Sequence, residues 1–174
     1  VDKFPFSSDS NATDVGELTR IICIAGAGQS SFENGYTSGG QTPPSAPVIC
    51  NTIDKFPFST DTPASDVGEM TGERRLQAGQ SSTTSGYNSG GDKPPSTIKC
   101  TTIDKFPFSS DTPATDVGEL DGGPLAGRSG VAGASSSLSG YTSGGSSQCA
   151  GPETKIDKFP FSSDSPSSVV LNLT

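Results

Sequence analysis

The sequence predicts an all-β chain built from tandem units of about fifty residues, and three observations carry that prediction. A phenylalanine block, Asp-Lys-Phe-Pro-Phe-Ser, begins at Asp2, Asp54, Asp104 and Asp157. A second block follows it as Asp14-Val15-Gly16-Glu17, Asp66-Val67-Gly68-Glu69 and Asp116-Val117-Gly118-Glu119. A third closes each unit as Gly35-Tyr36-Thr37-Ser38-Gly39-Gly40, Gly86-Tyr87-Asn88-Ser89-Gly90-Gly91 and Gly140-Tyr141-Thr142-Ser143-Gly144-Gly145. The single repeat domain, 1–174, divides into units 1–52, 53–102 and 103–155 and a partial fourth unit, 156–174.

The phenylalanine block is read as a strand. Val48 to Ile53 run into Lys55, Phe56, Pro57 and Phe58, with Asp54 and Phe56 on one side and Ile53 and Lys55 on the other. Pro57 has no N–H for a ladder, so the strand ends or lies at an edge there. Residues 59–66 are rich in turn formers, and the first unit has Asn11 where the others have Pro63 and Pro113, a swap that suits a loop. Val67 and Met70 mark a short second strand around a bend at Gly68. The next segments, Arg20 to Gly26, Gly72 to Gly79 and Asp121 to Gly133, differ in length and chemistry, as exposed loops do. Gln29-Ser30-Ser31 and Gln80-Ser81-Ser82 lead to the tyrosine strand. The Gly39-Gly40 pair then turns the chain at positive φ, and proline connectors (Pro43, Pro44 and Pro47; Pro94 and Pro95) lead into the next unit. Each unit thus holds three or four short strands, the content of one propeller blade.

Composition sets limits. Leu, Ile, Val and Phe together make 32 of 174 residues, a level at which disorder is the usual expectation. Their recurrence at fixed places instead lets neighbouring units bury a thin shared core. Ala, Leu, Glu and Lys never cluster at helical spacing. A net charge of −8 with no basic cluster argues against nucleic-acid partners. No run of eighteen apolar residues exists, so no membrane-spanning helix is expected. The chain begins at Val1, inside a repeat, which suggests a processed or partial chain.

The order of these blocks resembles the kelch repeat of β-propellers. Asp-Lys-Phe-Pro-Phe-Ser, Asp-Val-Gly-Glu-Leu and Gly-Tyr-Thr-Ser-Gly-Gly together are similar to the kelch-like arrays of bacteriophage virion or tail-associated proteins and of bacterial surface proteins. The resemblance implies blade-like units and a structural role in a fibre, appendage or capsid surface, with an extracellular or virion-surface location. Three units and a fragment do not close a propeller, which has four to eight blades. Other subunits would complete the array, the Asp157 segment being available to fill the sheet that Val1 to Phe6 leave open. Self-association into a homo-oligomer or filament is therefore expected, with other structural proteins or surface glycans as further partners.

Catalytic machinery is not expected. The chain has no histidine, which removes Ser-His-Asp and Cys-His chemistry and histidine zinc sites. It carries no phosphate loop and no nucleophile elbow. No cofactor is expected; the one metal considered is calcium, at the acidic loop Asp9 to Glu17 and its copies Asp61 to Glu69 and Asp111 to Glu119. The competing role for those aspartates is local turn capping. Cys23, Cys50, Cys100 and Cys149 are candidates for disulfides, with three pairings open. Tyr36, Tyr87 and Tyr141 are candidates for a repeated sugar-stacking surface, against packing within the fold. Asn11 and Asn172 stand in N-glycosylation patterns.

Overall fold

A computed structural model describes residues 1–24, 26–44, 47–94, 98–121 and 127–174. Pro95 of the second proline connector, Ala25 of the first variable segment and residues 122–126 of the third lie outside them.

The protein is all-β: the described residues form 19 strands in small antiparallel sheets and contain no helix. A short hairpin pairs β1 (Asp2–Lys3) with β2 (Thr13–Asp14). Sheet I holds β3 (Ala27–Ser30), β4 (Asn34–Ser38), β5 (Thr52–Pro57) and β6 (Ser65–Glu69) in chain order. In sheet II, β7 (Ala78–Ser81) and β8 (Ser85–Ser89) are joined to β11 (Thr102–Pro107) and β12 (Thr115–Glu119), with β9 (Asp92–Lys93) and β10 (Ile98–Lys99) as a small ribbon between them. Sheet III repeats the pattern with β14 (Ala132–Ser135), β15 (Ser139–Ser143), β18 (Lys155–Pro160) and β19 (Ser168–Asn172). Beside it, β13 (Arg128–Ser129), β16 (Ser146–Ser147) and β17 (Gly151–Pro152) form a three-stranded ribbon.

Each large sheet draws its first two strands from one sequence unit and its last two from the next. The strand expected to fill the sheet that Val1 to Phe6 leave open is therefore already in use. The Asp157 segment is not spare: β18 pairs β15 on one side and β19 on the other, completing sheet III within the same chain. Among the described residues β1 and β2 pair only with each other, and by sequence they match the last two strands of a large sheet.

The local chemistry explains the strand limits. β5, β11 and β18 all end at proline, Pro57, Pro107 and Pro160; pairing with β6, β12 and β19 already stops at Lys55, Lys105 and Lys158, as a proline without an N–H at the next position of that ladder requires. The sharp turn after the tyrosine strand is carried by Gly39 and Gly40, at φ of 63° and 98°. The same pair of left-handed values recurs at Gly90–Gly91 and Gly144–Gly145, where a side chain would be strained. A register shift opposite Ile53/Asp54, again at Ile103/Asp104 and Ile156/Asp157, marks a bulge whose extra residue lies on the partner strand, at Val67, Val117 and Val170.

The apolar core lies between the sheets. Between I and II it comprises Tyr36, Ile53 and Met70 from the first with Phe106 and Ala114 from the second. Between II and III it comprises Tyr87, Ile103 and Leu120 with Phe159. Two thin cores of this size suit a chain poor in aliphatic residues, since each sheet borrows its neighbour's face.

Candidate functional site

The residues that the sheets bring together form a joint, made twice in closely matching form. Its aromatic part places Tyr36 parallel to Phe108 at 4.8 Å and tilted against Phe106 at 5.5 Å. Tyr87 lies on Phe161 at 4.9 Å and on Phe159 at 5.5 Å in the same way. These separations are those of favourable offset and tilted ring pairs. Room for the rings comes from Gly86 and Gly140, where an added Cβ would run into Phe106 and Phe159.

Its polar part is buried. The Gln29 side-chain amide donates to Ser38 Oγ at 3.0 Å, to Tyr87 O at 3.1 Å and to Asn88 Oδ1 at 2.7 Å. Gln80 repeats this, donating to Ser89 Oγ at 2.9 Å, Tyr141 O at 3.0 Å and Thr142 Oγ1 at 3.2 Å. At the rim, Lys55 Nζ meets Asp111 at 2.6 Å and Lys105 Nζ meets Asp164 at 2.8 Å. The buried Gln29 and Gln80 amides are tolerated because their donors find acceptors across the joint, whereas Asn88 accepts through Oδ1 and its Nδ2 has no partner among the described residues.

An arginine and an aspartate complete each joint. Arg74 Nη2 is ion-paired with Asp104, and Arg128 Nη2 with Asp157. Arg128 Nη1 also donates to the carbonyls of Gly144 and Lys155, both at 3.1 Å. Arg74 Nη1 donates to Thr102 O at 3.2 Å. In sheet I the corresponding carboxylate, Asp54, is just as buried. It accepts bonds from Thr19 N at 3.0 Å and Thr19 Oγ1 at 2.5 Å, yet no cationic side chain pairs with it among the described residues. Arg74 and Arg128 stand four residues before Ala78 and Ala132; the residue four before Ala27 is Cys23. Cys23→Arg is therefore expected to raise stability by about 1.5–3 kcal/mol, the range of hydrogen bonds to charged groups. Urea denaturation checks this, and the gain should vanish when Asp54→Asn is added.

The candidate residues from the sequence fall as follows. Tyr36 and Tyr87 are buried inside the joints, and only Tyr141, on sheet III, stays partly exposed. Cys23, Cys50, Cys100 and Cys149 are free thiols, the middle two buried and the outer two exposed. Of the acidic-loop residues, Asp61 and Asp111 take the lysines Lys3 and Lys55. Asp14, Asp66 and Asp116 cap the turn by accepting the N–H two residues on, at 3.1–3.2 Å. Among the described residues, no group of three or more His, Cys, Asp or Glu side chains converges as metal ligands. Asn11 and Asn172 are exposed. Among those residues too, no helix is long and apolar enough to cross a membrane.

Burial also sets an alkaline limit. It raises the Tyr36 and Tyr87 phenols above 10.0 and the Cys50 and Cys100 thiols above 9.0. Lys105 is raised as well, chiefly by its hydrogen bond to Asp164. Between the unfolded and folded pKa of each group, the folded chain holds the extra proton, so unfolding becomes easier as pH rises. A melting temperature flat from pH 7 to about 8 and falling above about 9 is expected. Tyr36→Phe with Tyr87→Phe should flatten the part of the fall above about pH 10.

The joints leave two unmatched faces. On sheet I, among the described residues, Phe56 and Phe58 make a ring pair only with each other, at 6.2 Å; Phe56 is half-buried where Phe106 and Phe159 are buried, and Phe58 is exposed where Phe108 and Phe161 are half-buried. On sheet III, β14 is exposed along its length, as are Val169, Val170 and Leu171 of β19. Compared with known proteins, the chain matches no family model and no curated sequence.

Proposed function

We propose that this chain is a structural element of an extracellular fibre, appendage or virion surface, built from β repeats that associate through their sheet faces. The observation that carries this reading is the joint itself. One set of aromatic, amide and ion-pair contacts is made between I and II and again between II and III, and both outer sheets keep halves of it unsatisfied. Surfaces of that kind favour addition of further copies over isolation. Four-stranded meanders joined at their faces also support the reading of each sheet as a propeller blade of kelch-like type, with other subunits completing the three blades present.

A second reading, a propeller-type module that recognises a glycan or protein, draws support from an open groove along the three first strands. Gly28, Gln29, Gln80, Ser81, Ala134 and Ser135 line part of it. Electron microscopy of the purified chain, with its mass in solution, separates the two. Rings, filaments or a regular lattice are the expected result. A compact monomer at all concentrations would overturn the assembly reading, and glycan-array binding would then support the second.

A further inference from the structure

We propose that the cleft between the first hairpin turn of sheet I and the Phe108–Ser109 segment of sheet II binds a neutral hexose oligosaccharide, with the Phe32 ring as the platform on which a sugar stacks. The site stands apart from the groove along the first strands and does not depend on the assembly reading.

The turn joining β3 to β4 is Ser31-Phe32-Glu33-Asn34, and its counterpart between β7 and β8 is Ser82-Thr83-Thr84-Ser85. In each, the leading serine pins the backbone: Ser31 Oγ accepts from Asn34 N and Ser82 Oγ from Ser85 N, both at 2.9 Å. The two turns are held alike, and what differs is the chemistry at the tip. Where sheet II carries Thr83 and Thr84, sheet I carries Phe32 and Glu33, and the turn between β14 and β15 carries Ser137 and Leu138. Packing does not explain the Phe32 ring, which is 98% exposed and stacks on no other ring among the described residues.

Phe32 lines a cleft of about 320 Å³, together with Glu33, Thr83, Thr84, Phe108 and Ser109. That volume is at the lower end for small-ligand sites. Phe108 gives it a fixed apolar wall, since Tyr36 lies on that ring at 4.8 Å. The remaining groups are polar and unspent: among the described residues, the Glu33 carboxylate and the Thr83, Thr84 and Ser109 hydroxyls make no hydrogen bond within the protein. A matching ligand offers an apolar face to the rings and donors to the carboxylate, which only accepts. A pyranose does both. Its C–H face meets the negative face of an aromatic ring, while its hydroxyls donate to Glu33 and exchange hydrogen bonds with the threonines. Glu33 is the one charged residue in the described lining, so an anionic sugar would meet repulsion with no cation to answer it. A protein partner would need roughly 800 Å² of matching surface on each side, far more than one ring and a small cleft provide. At the second turn both the aromatic and the carboxylate are replaced by threonine, so the recognition pair occurs once.

The test titrates maltohexaose, cellohexaose and laminarihexaose separately into the isotope-labelled chain, with hexagalacturonate as the acidic control. At least one neutral oligomer should give saturable amide shifts at Phe32, Glu33, Thr83, Thr84 and Ser109. The expected dissociation constant is on the order of 1 mM, as fits one stacked ring and a few hydrogen bonds. Phe32→Thr, which copies the residue of the second turn, should weaken binding about tenfold or more and leave the melting temperature within about 1 °C. Glu33→Gln should weaken it about fivefold, the difference between a charged and a neutral acceptor. No saturable shift with any neutral oligomer, equal binding of hexagalacturonate, or shifts indifferent to Phe32→Thr would each overturn the site. Self-association lost in Phe32→Thr without sugar binding would overturn it too, since the ring would then be a contact between copies. A chain that assembles through other residues and binds no oligomer overturns the site and leaves the assembly reading standing. A strict monomer that binds supports the site and overturns the assembly reading.

Discussion

Arg128→Ala is expected to lower the unfolding free energy by about 3–5 kcal/mol, the cost of leaving one partner of a buried ion pair alone. Arg128 and Asp157 are 1% and 0% exposed, so water cannot replace the lost guanidinium. The loss extends beyond one pair, because the carbonyls of Gly144 and Lys155 also lose their donor. These carbonyls flank the left-handed turn and the start of β18, so sheet III should loosen where its second and third strands meet. Arg74→Ala should do the same to sheet II. Removing both charges, as in Arg128→Met with Asp157→Leu, should recover much of the stability, since an apolar pair carries no desolvation cost. Urea denaturation at pH 7 gives both numbers. A single substitution costing less than about 1 kcal/mol would mean that the pair is hydrated in solution.

Gly79→Ala is the second large effect, expected at about 3 kcal/mol through overpacking. An added Cβ would lie well under 3.0 Å from the Gly28 carbonyl oxygen, and the obstacle is backbone, which cannot rotate away as a side chain would. Gly133→Ala meets the Gly79 carbonyl in the same way. The internal control is Gly28→Ala, which has free space around it and should change stability by less than about 0.5 kcal/mol. Three chemically identical substitutions thus have two different outcomes, decided only by whether a sheet stands in front. Equal effects at all three would refute the close approach of β3, β7 and β14.

Much of this fold is legible in the sequence. The proline at the end of each phenylalanine strand, the glycine pair after each tyrosine and the alternation of Ile53 and Lys55 against Asp54 and Phe56 are all local signals, and the structure follows them. The pairing of strands across units is not local. Nothing in the repeat says whether Asp157 closes the sheet begun by Tyr141 or opens a new one, because a period has no natural starting point. The site is legible only in part. Arg74 and Arg128 lie in segments whose divergence suggests exposed loops, yet both are buried. Two signals point to them: a constant aspartate inside an apolar strand, which needs a counter-charge, and an arginine at a fixed distance before Ala78 and Ala132. Gln29 and Gln80 carry a similar signal, an amide between small residues. The sequence offers the tyrosines either a surface or packing against their own unit; their partners, Phe108 and Phe161, lie instead in a later unit and on a different sheet.

The joint has a direction. Lys55, Gln29 and Tyr36 all reach forward from sheet I into sheet II, and their counterparts reach forward from II into III, while the aspartates and phenylalanines that receive them lie on the following sheet. A surface of givers and a surface of takers are different surfaces, so a contact that reuses this joint is heterologous and cannot be built around a two-fold axis. Ala134 stands on sheet III where Gln29 and Gln80 stand on the others, so the forward end has lost one of its three hands. Any array built this way would carry an arrow along its length, with a fully furnished tail and a blunted tip.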